Sequence, residues 1–423
     1  MDSDENDKIG QLPPSNNLLK SSLLRNSNAL PPKPGRPSSN LPPSGPSAPK
    51  RNRSDQMTTN LKNQSINTHE NDWKQYFTEK VQLTDPETNF NFNIYRKGDH
   101  NLPAFLLLHG GGFTGLTFAN FVEEISSLLK VQCIAPDLRG HGLSQSFEEL
   151  SENDPRRADF YSLDNFSKDL SFIIKNLPGF TENDTKIPSI ILVGHSMGGA
   201  IAAHLSNDQN FPYSLACIAM LDVIEGSAMA ALPAMKGVIE ARPTMFSSYE
   251  DAVHWALSTR YIKSAKSAAI SVPSQIKKIN ENSSKFIWRT NLLHTSPFWD
   301  QWFKGMDKKF LNANCGPKVI LVADPNNLDK EMTIAQMQGK FTIQMLPQSG
   351  HAVHEDCAKG IANKFAAYIK RFRIAESIQG GYGTNLPANF HRNPAAANTA
   401  PPGSSKIRAY GADVLKEDIE EDD

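Results

Sequence analysis

The sequence predicts an α/β fold in which a mostly parallel central sheet is covered by helices on both faces. Short apolar runs alternate along the chain with segments of helical periodicity, which is the pattern of parallel strands joined by crossover helices. The run Ile190–Val193 contains only β-branched residues and leucine, as expected of a strand that is buried on both faces. The runs end in loops with glycine or polar residues, and functional sites of such sheets lie at these carboxyl ends.

The individual elements follow from the same patterns. The segment Phe90–Tyr95 alternates apolar and polar residues, which indicates an edge strand. Buried strands are predicted at residues 103–108, 131–135, 190–193, 215–221, 318–323 and 341–346. Helices are predicted at residues 118–129, 163–177 and 355–372, and a further helix follows directly after the 190–193 strand.

Changes in composition divide the chain into a folded domain with an insertion and two tails. Residues 227–314 show helical periodicity, frequent aromatic residues and no convincing strand pattern, which predicts a helical lid inserted between two strands. This lid belongs to one α/β domain at residues 73–375. Residues 1–72 are rich in Pro, Ser and Asn, and residues 376–423 are rich in Gly, Ala, Pro and Asn before an acidic end. Both tails are predicted to be disordered, because they bury too little apolar surface to offset chain entropy.

Composition argues against several classes of protein. A formal net charge of −1 disfavours a nucleic-acid-binding protein, which would normally present a basic face. The four cysteines lie far apart without a C-x-x-C pair, so a zinc site or disulfide framework is not predicted and a reducing compartment is expected. Neither a secretory signal nor an apolar run long enough to span a bilayer is recognised. The expectation is a soluble protein of the cytoplasm, the nucleus or both.

The pentapeptide Gly194–Gly198 is the strongest functional motif in the chain. It has the Gly-x-Ser-x-Gly pattern of a nucleophile elbow, with Ser196 at its centre, between a predicted strand and a helix of small residues. The serine must occupy a strained bend, and side chains at the two glycine positions would collide across so tight a turn. Chance can produce the pentapeptide alone, but its strand–turn–helix context predicts that Ser196 is a nucleophile.

A serine nucleophile requires a neighbouring base, and His351 is the predicted base among the eleven histidines. It follows the last predicted strand and precedes the last helix, which is the position of the histidine in the order nucleophile–acid–histidine. His354 is the near competitor, one turn further on, where it would face the flank of the site. His195 is adjacent to the serine and points away along the elbow, so it is a poor base.

The third member of such a triad is a buried carboxylate that fixes the imidazole tautomer and stabilises its charged form. Asp222 ends the strand after the elbow strand, whereas Asp324 and Asp329 follow the strand after the insertion. General topology slightly favours Asp324 or Asp329, because many such enzymes place the acid after the later strand. The residues alone leave all three candidates open.

The tetrahedral intermediate of acyl transfer needs backbone N–H donors. One predicted donor is the amide of Met197, immediately after the nucleophile. The other is predicted in the loop His109–Gly112, with Gly111 as the donor and Gly112 as the alternative, because glycine lets the backbone approach the substrate oxygen. A tight structural turn is the competing interpretation of this loop. No metal-ligand spacing and no G-K-[ST] sequence after these glycines occur, so neither a metal nor another cofactor is predicted.

Longer blocks of sequence are more specific than these motifs. The most specific are Gln336–Lys340 and Gly350–Asp356. The others are Leu108–Gly112, Val193–Ile201, Leu221–Gly226, Arg242–Pro243, Trp299–Gly305 and Leu328–Lys330. Together the blocks resemble the protein phosphatase methylesterase family, and the resemblance extends from about Trp73 to Phe372.

The resemblance implies an α/β-hydrolase fold with a helical lid and a serine esterase activity. The implied substrate is the methyl-esterified carboxyl-terminal leucine of the catalytic subunit of type 2A protein phosphatase. The family places the triad acid in the block that begins at Leu221, so Asp222 is the implied acid. The resemblance also implies that the chain binds the active site of this phosphatase and can displace its metals.

The resemblance leaves two alternatives for comparison. One is a serine hydrolase of other small esters or lipids, and the other is a non-catalytic inhibitor or scaffold that binds the phosphatase. This chain also departs from relatives with a long acidic run in the insertion, since Asn280–Ser284 is short and barely charged. A monomer that binds neither nucleic acid nor membrane is expected.

Overall fold

An eight-stranded sheet and a two-stranded sheet contain the strands of the part of the chain that the structure describes. This computed structural model describes residues 72–181, 184, 187–211, 213–324, 328–372 and 374. Apart from Asp72, the predicted disordered tails lie outside these residues. The strands are Glu79–Thr84 (β1), Asn91–Lys97 (β2), Ala104–Leu108 (β3), Gln132–Pro136 (β4), Ile190–His195 (β5), Leu215–Leu221 (β6), Ile276–Lys278 (β7), Phe286–Trp288 (β8), Lys318–Val322 (β9) and Thr342–Met345 (β10).

The large sheet has the strand order β1-β2-β4-β3-β5-β6-β9-β10. Its pairs β1–β2 and β2–β4 are antiparallel, and the remaining five pairs are parallel. The predicted mostly parallel sheet is therefore confirmed. Because β3, β5, β6, β9 and β10 run in the same direction, the loops that follow them emerge at one edge of the sheet.

The prediction of an edge strand at Phe90–Tyr95 is wrong. Strand β2 pairs with β1 on one side and with β4 on the other, so the edge strand is β1. Two polar residues of β2, Asn93 and Arg96, are buried because their side chains have buried partners. Asn93 Nδ2 donates to Asp137 Oδ2 at 2.9 Å, and Arg96 Nη2 donates to Gln132 Oε1 at 2.8 Å. Apolar–polar alternation therefore does not mark an exposed face in this strand.

Helices cover both faces of the sheet. They are Ala119–Leu128 (α1), Leu163–Lys175 (α2), Met197–Leu205 (α3), Glu225–Glu240 (α4), Tyr249–Ser258 (α5), Ala265–Gln275 (α6), Trp299–Phe303 (α7), Met306–Asn312 (α8), Lys330–Met337 (α9), Val353–Asp356 (α10) and Ala358–Arg371 (α11). Short 3₁₀ helices occupy Asp72–Gln75, Gly115–Phe118, Phe147–Glu149, Pro155–Arg157 and Leu292–Phe298.

Alternating side chains of the central strands build a core on each face. In β3, Leu106 and Leu108 pack into the cluster that includes α2 and α3, whereas Leu107 packs into the cluster that includes α1 and α11. Phe105 lies edge-on to Phe365 of α11, with 5.7 Å between the ring centroids. Burial on both faces fixes the strands, and therefore fixes the positions from which the loops at the carboxyl edge start.

Between β6 and β9 the chain leaves the sheet and forms helices α4–α8, with the hairpin β7–β8 among them. The expectation of no strands in this segment is wrong, because two strands of three residues are too short to display a period of two. The hairpin residues Ile276 and Phe286 belong to a third apolar cluster. This cluster also contains Phe113 and Ala352, so the insertion packs against two loops at the carboxyl edge of the sheet.

A buried carboxyl group joins the insertion to the last helices. The Ser271 hydroxyl of α6 donates to Glu355 Oε2 at 2.6 Å, and the Ser267 hydroxyl donates to the Glu355 carbonyl at 2.7 Å. Thr117 Oγ1 contacts both Glu355 Oε1 and His354 Nε2. Burial raises the pKa of Glu355 to about 8, against hydrogen bonds from Ser271 and Thr117 that lower it. This carboxyl group is therefore mostly protonated near neutral pH.

Replacement of Glu355 by glutamine should remove a pH-dependent loss of stability. The carboxyl pKa is raised on folding, so the stabilisation by its proton is complete below about 4.5 and is lost as the pH rises through about 8. In that window the free energy of unfolding of the wild type should fall, relative to Glu355→Gln, by at most about 1.4 kcal/mol per pH unit. Denaturant unfolding at several pH values measures this difference.

The exposed carboxylate of Glu152 provides the control for this experiment. Glu152→Gln should give a stability profile parallel to that of the wild type. Parallel profiles for Glu355→Gln and the wild type would show that Glu355 does not bind its proton more tightly in the folded state.

Candidate active site

The turn between β5 and α3 presents Ser196 in a strained conformation. Its backbone angles are φ 50° and ψ −117°, and Met197 begins α3 directly afterwards. A Cβ atom on Gly194 would lie 2.1 Å from the Gly198 carbonyl oxygen, and one on Gly198 would lie 2.2 Å from the Leu108 carbonyl oxygen. Only glycine avoids these collisions, which is the geometry of a nucleophile elbow.

His351 and Asp222 meet at the same edge of the sheet. The Nδ1 atom of His351 lies 2.9 Å from Asp222 Oδ2. The other carboxylate oxygen of Asp222 accepts a hydrogen bond from the Ala323 amide at 2.8 Å. Because a carboxylate accepts the bond, we assign the proton of the neutral imidazole to Nδ1. The Nε2 atom then carries the lone pair that a general base needs.

The three candidate carboxylates occupy different positions. Asp222, and neither Asp324 nor Asp329, makes the hydrogen bond to His351. Asp329 instead caps the amino terminus of α9, where its Oδ1 accepts from the Met332 amide at 2.8 Å. The geometry therefore differs from the topological preference for the strand after the insertion, and it agrees with the position that the family resemblance implies.

The contact between nucleophile and base is the incomplete part of this arrangement. Within the described residues, no hydrogen bond joins Ser196 Oγ to His351 Nε2, and the His351 side chain is 44% exposed. Catalytic hydrogen bonds are often long without substrate and shorten when it binds. The carboxylate–imidazole half of the site is assembled, whereas the serine–imidazole hydrogen bond is not formed in this structure.

The predicted oxyanion donors lie beside the nucleophile. A Cβ atom on Gly110 would lie 3.2 Å from Ser196 Cβ, and one on Gly111 would lie 4.0 Å from Met197 Sδ. Among the described residues, the amides of Gly111 and Met197 donate no hydrogen bond to another protein atom. Gly112, the alternative donor, has a φ of 80° that favours glycine. The loop and the start of α3 therefore offer two neighbouring N–H groups that have no acceptor among the described residues.

Two further histidines support His351 rather than replace it. His195 is fully buried, and its Nε2 donates to the His351 carbonyl oxygen at 2.9 Å. Burial, together with His354 and His351, lowers the pKa of His195 well below its usual range, so the ring is neutral. His354 is also buried, and burial lowers its pKa to about 3. His354 is thus buried instead of facing the flank of the site. The hydrogen bond from His195 to the His351 carbonyl could not be predicted from the Gly-x-Ser-x-Gly motif, because the two residues are far apart in the sequence.

Asp356 clamps the loop that carries His351. Its Oδ2 accepts from the Gly350 amide at 2.7 Å, and its Oδ1 accepts from the Lys263 amide of the insertion at 2.7 Å. The Lys263 ammonium also donates to the Gln348 carbonyl at 3.0 Å. The insertion therefore holds the loop from one side while the sheet holds Asp222 from the other.

The described part of the chain contains no group of three or more His, Cys, Asp or Glu side chains that could hold a metal ion. No helix within it is both long and apolar enough to cross a membrane.

Comparison with known proteins connects this geometry to a family. A family model described as "Alpha/beta hydrolase family" matches residues 105–364. A Caenorhabditis elegans protein named "Probable protein phosphatase methylesterase 1" is 39% identical over 305 residues, which are 72% of this chain and 78% of that protein. This chain belongs to the protein phosphatase methylesterase family of α/β hydrolases. The "Protein phosphatase methylesterase 1" of Bos taurus is 35% identical over 350 residues, covering 73% of this chain and 88% of its own.

The comparison with solved structures concerns the fold alone. The crystal structure of E-2-(acetamidomethylene)succinate hydrolase has a TM-score of 0.51 and 18% identity, covering 69% of this chain and 100% of its own. The predicted α/β-hydrolase fold is confirmed by this likeness and by the family match. Family membership identifies the chain as an enzyme, a carboxylic ester hydrolase of the methylesterase type.

Replacement of Asp222 by asparagine should slow the covalent labelling of Ser196 by a fluorophosphonate by roughly 10²- to 10⁴-fold. Asparagine can keep the hydrogen bond, but it favours the wrong imidazole tautomer and cannot stabilise the charged ring. The matched control is Asp329→Asn, since asparagine remains a good helix cap. Labelling rates measured by intact-mass spectrometry compare the two variants, and slower labelling of Asp329→Asn than of Asp222→Asn would contradict the assignment.

Proposed function

We propose that this enzyme removes the methyl ester from the carboxyl-terminal leucine of the catalytic subunit of type 2A protein phosphatase. The relatives are named protein phosphatase methylesterases, which supports an esterified phosphatase as the substrate. The observation that carries the proposal is the hydrogen bond of 2.9 Å between His351 Nδ1 and Asp222 Oδ2, one strand away from the elbow of Ser196. This arrangement supplies a nucleophile, a base and an orienting acid for acyl transfer.

Acylation of the enzyme begins when Ser196 Oγ attacks the ester carbonyl carbon. His351 Nε2 takes the serine proton, and the Asp222 carboxylate stabilises the resulting imidazolium. The amides of Met197 and Gly111 donate hydrogen bonds to the oxyanion of the tetrahedral intermediate. Loss of one such donor typically costs roughly 10²- to 10³-fold in rate.

Collapse of the intermediate releases methanol, which takes its proton from the His351 imidazolium. The leucine carboxyl group is then joined to Ser196 as an ester. His351 next accepts a proton from water, and the hydroxide attacks the acyl carbon through the same oxyanion donors. The products are the free carboxylate of the leucine and the regenerated serine.

The phosphatase is the proposed binding partner of a monomeric enzyme, and the insertion forms part of the proposed peptide-binding groove. Leu292 of the insertion borders the oxyanion loop, since a Cβ atom on Gly111 would lie 3.5 Å from Leu292 Cδ2. The packing of Phe113 and Ala352 into the cluster of the insertion supports this position. A flexible carboxyl-terminal tail can enter such a groove as an extended chain.

The alternative of a non-catalytic protein that binds the phosphatase conflicts with membership of a family of esterases. Within the described residues, Ser196 and His351 form no hydrogen bond with each other. The methylesterase proposal requires these two side chains to come within hydrogen-bonding distance when substrate is present. Turnover by the wild type tests this requirement.

Ser196→Ala should abolish demethylation of purified methylated phosphatase, with a loss of roughly 10⁴- to 10⁶-fold in kcat. Methanol release and loss of the methyl ester measure the reaction. Ser127→Ala, an exposed serine at the end of α1, is the matched control and should retain full activity. Undiminished demethylation by Ser196→Ala would contradict the proposal, and so would inactivity of a folded wild type toward the methylated phosphatase.

A further inference from the structure

Arg242 lies at the junction between α4 and the loop of the active site. It follows the last turn of α4, and a Cβ atom on Gly112 would lie 3.5 Å from Arg242 Nη1. Gly112 directly follows the proposed oxyanion donor Gly111. One edge of the guanidinium therefore borders the loop that holds the ester carbonyl.

Three aromatic rings surround this guanidinium. Its central carbon lies 3.7 Å from the ring centroid of Trp288, 5.4 Å from that of Tyr261 and 5.9 Å from that of Trp255. Aromatic faces attract a cation and hold it in a defined plane. The Trp288 indole N–H also donates to the Pro243 carbonyl at 2.7 Å, next to Arg242 in the chain. We call these three rings the aromatic cage.

The cage continues into the active-site loop. Tyr261 stacks on Phe113, which follows Gly112, with 5.2 Å between the centroids and 5° between the planes. The Tyr261 hydroxyl donates to Gln275 Oε1 at 3.2 Å, at the end of α6. The position of Arg242 is therefore set by packing that also sets the position of the oxyanion loop.

The guanidinium has no anionic partner in the part of the chain that the structure describes. Its Nε and Nη2 atoms are shielded from solvent and make no hydrogen bond there. Burial lowers the pKa of Arg242, but a guanidinium stays protonated in proteins. A half-buried cation whose shielded donors are unused is unfavourable unless an anion or an acceptor completes it. The aromatic cage compensates part of the charge, but it accepts no conventional hydrogen bond from the Nε–H and Nη–H groups.

We propose that Arg242 is a carboxylate-binding residue that anchors the peptide substrate or its product beside the oxyanion loop. The proposal rests on the proposed function, because a peptide must occupy this groove. A planar guanidinium is suited to a carboxylate, which it can bind through two N–H groups. Either of two groups of the tail could supply this carboxylate. One is the terminal carboxyl group that hydrolysis creates, and the other is an acidic side chain elsewhere in the tail.

The two sources have different kinetic consequences. The methyl ester is neutral and its product is anionic, so a site for the terminal carboxylate binds product more tightly than substrate and causes product inhibition. A site for an acidic side chain binds substrate and product alike. In both cases Arg242 contributes binding, and kcat changes little unless product release limits it.

The experiment uses the full chain with a synthetic phosphatase tail peptide as methyl ester and as free acid. A second pair of peptides carries amides in place of acidic side chains. The variants are Arg242→Gln, which removes the charge, and Arg242→Lys, which keeps the charge without the planar fork. Arg371→Gln is the control, since Arg371 is exposed at the end of α11 and also lies over an aromatic ring, that of Phe372.

Arg242→Gln should weaken inhibition by the free acid by roughly 10- to 100-fold, with a smaller loss in Arg242→Lys and none in Arg371→Gln. If the terminal carboxylate is the source, KM for the ester stays constant and the peptides with amides behave like the parent peptides. If an acidic side chain is the source, KM and the inhibition constant rise together, and the amide peptides lose the dependence on Arg242.

Unchanged KM and unchanged inhibition in Arg242→Gln, with normal demethylation by the wild type, would overturn this inference and leave the proposed function intact. Thermal melting and fluorophosphonate labelling verify that each variant is folded, and Arg242→Lys decides the question if the glutamine variant is not. Calorimetric binding of the free-acid peptide to Ser196→Ala tests the carboxylate site without turnover. It keeps the inference testable if the wild type fails to demethylate the phosphatase.

Discussion

The hydrogen bond between His351 and Asp222 is the interaction on which the proposed chemistry of this protein depends. Its two residues come from loops after strands that are not neighbours, since β9 lies between β6 and β10. The Ala323 amide at the end of β9 holds the second oxygen of Asp222, so all three strands contribute to the position of one imidazole. His195 fixes the backbone of His351 from the elbow side. The sheet thereby sets the tautomer of a ring whose other nitrogen remains available to Ser196.

Backbone strain at two adjacent strand ends accompanies this arrangement. Ser196 and Asp222 have φ angles of 50° and 51°, and conformations of this kind cost on the order of 1–3 kcal/mol per residue. Both residues nevertheless keep a hydrogen bond to the next strand, from the Ser196 amide to Leu221 and from the Asp222 amide to Leu321. The two strained residues are thus the last to form hydrogen bonds between these strands. Burial of the strands on both faces stabilises the strained conformation of residues whose own side chains are partly exposed.

The sequence predicted the features that are local and could not predict those that depend on side-chain direction. Ser196 could be predicted from the sequence because the elbow requires glycine at fixed positions next to an apolar strand. Asp222, Asp324 and Asp329 could not be distinguished from spacing, because each follows a parallel strand whose end reaches the same edge. The contact with His351 depends on where one carboxylate points. The aromatic cage around Arg242 could not be predicted from the sequence either, since its rings are separated in the chain and meet only through the packing of the insertion.

A double-mutant cycle on the demethylation reaction tests most directly whether Asp222 and His351 act as one unit. The cycle compares kcat/KM for the wild type, Asp222→Asn, His351→Ala and the double variant, with thermal melting as the check on folding. If the two residues act as one unit, the losses should be strongly non-additive, with the double variant about as impaired as His351→Ala and a coupling energy of at least about 2 kcal/mol. Additive losses would contradict the assignment of Asp222 as the residue that orients His351, because Asp222 would then affect activity without acting through the imidazole.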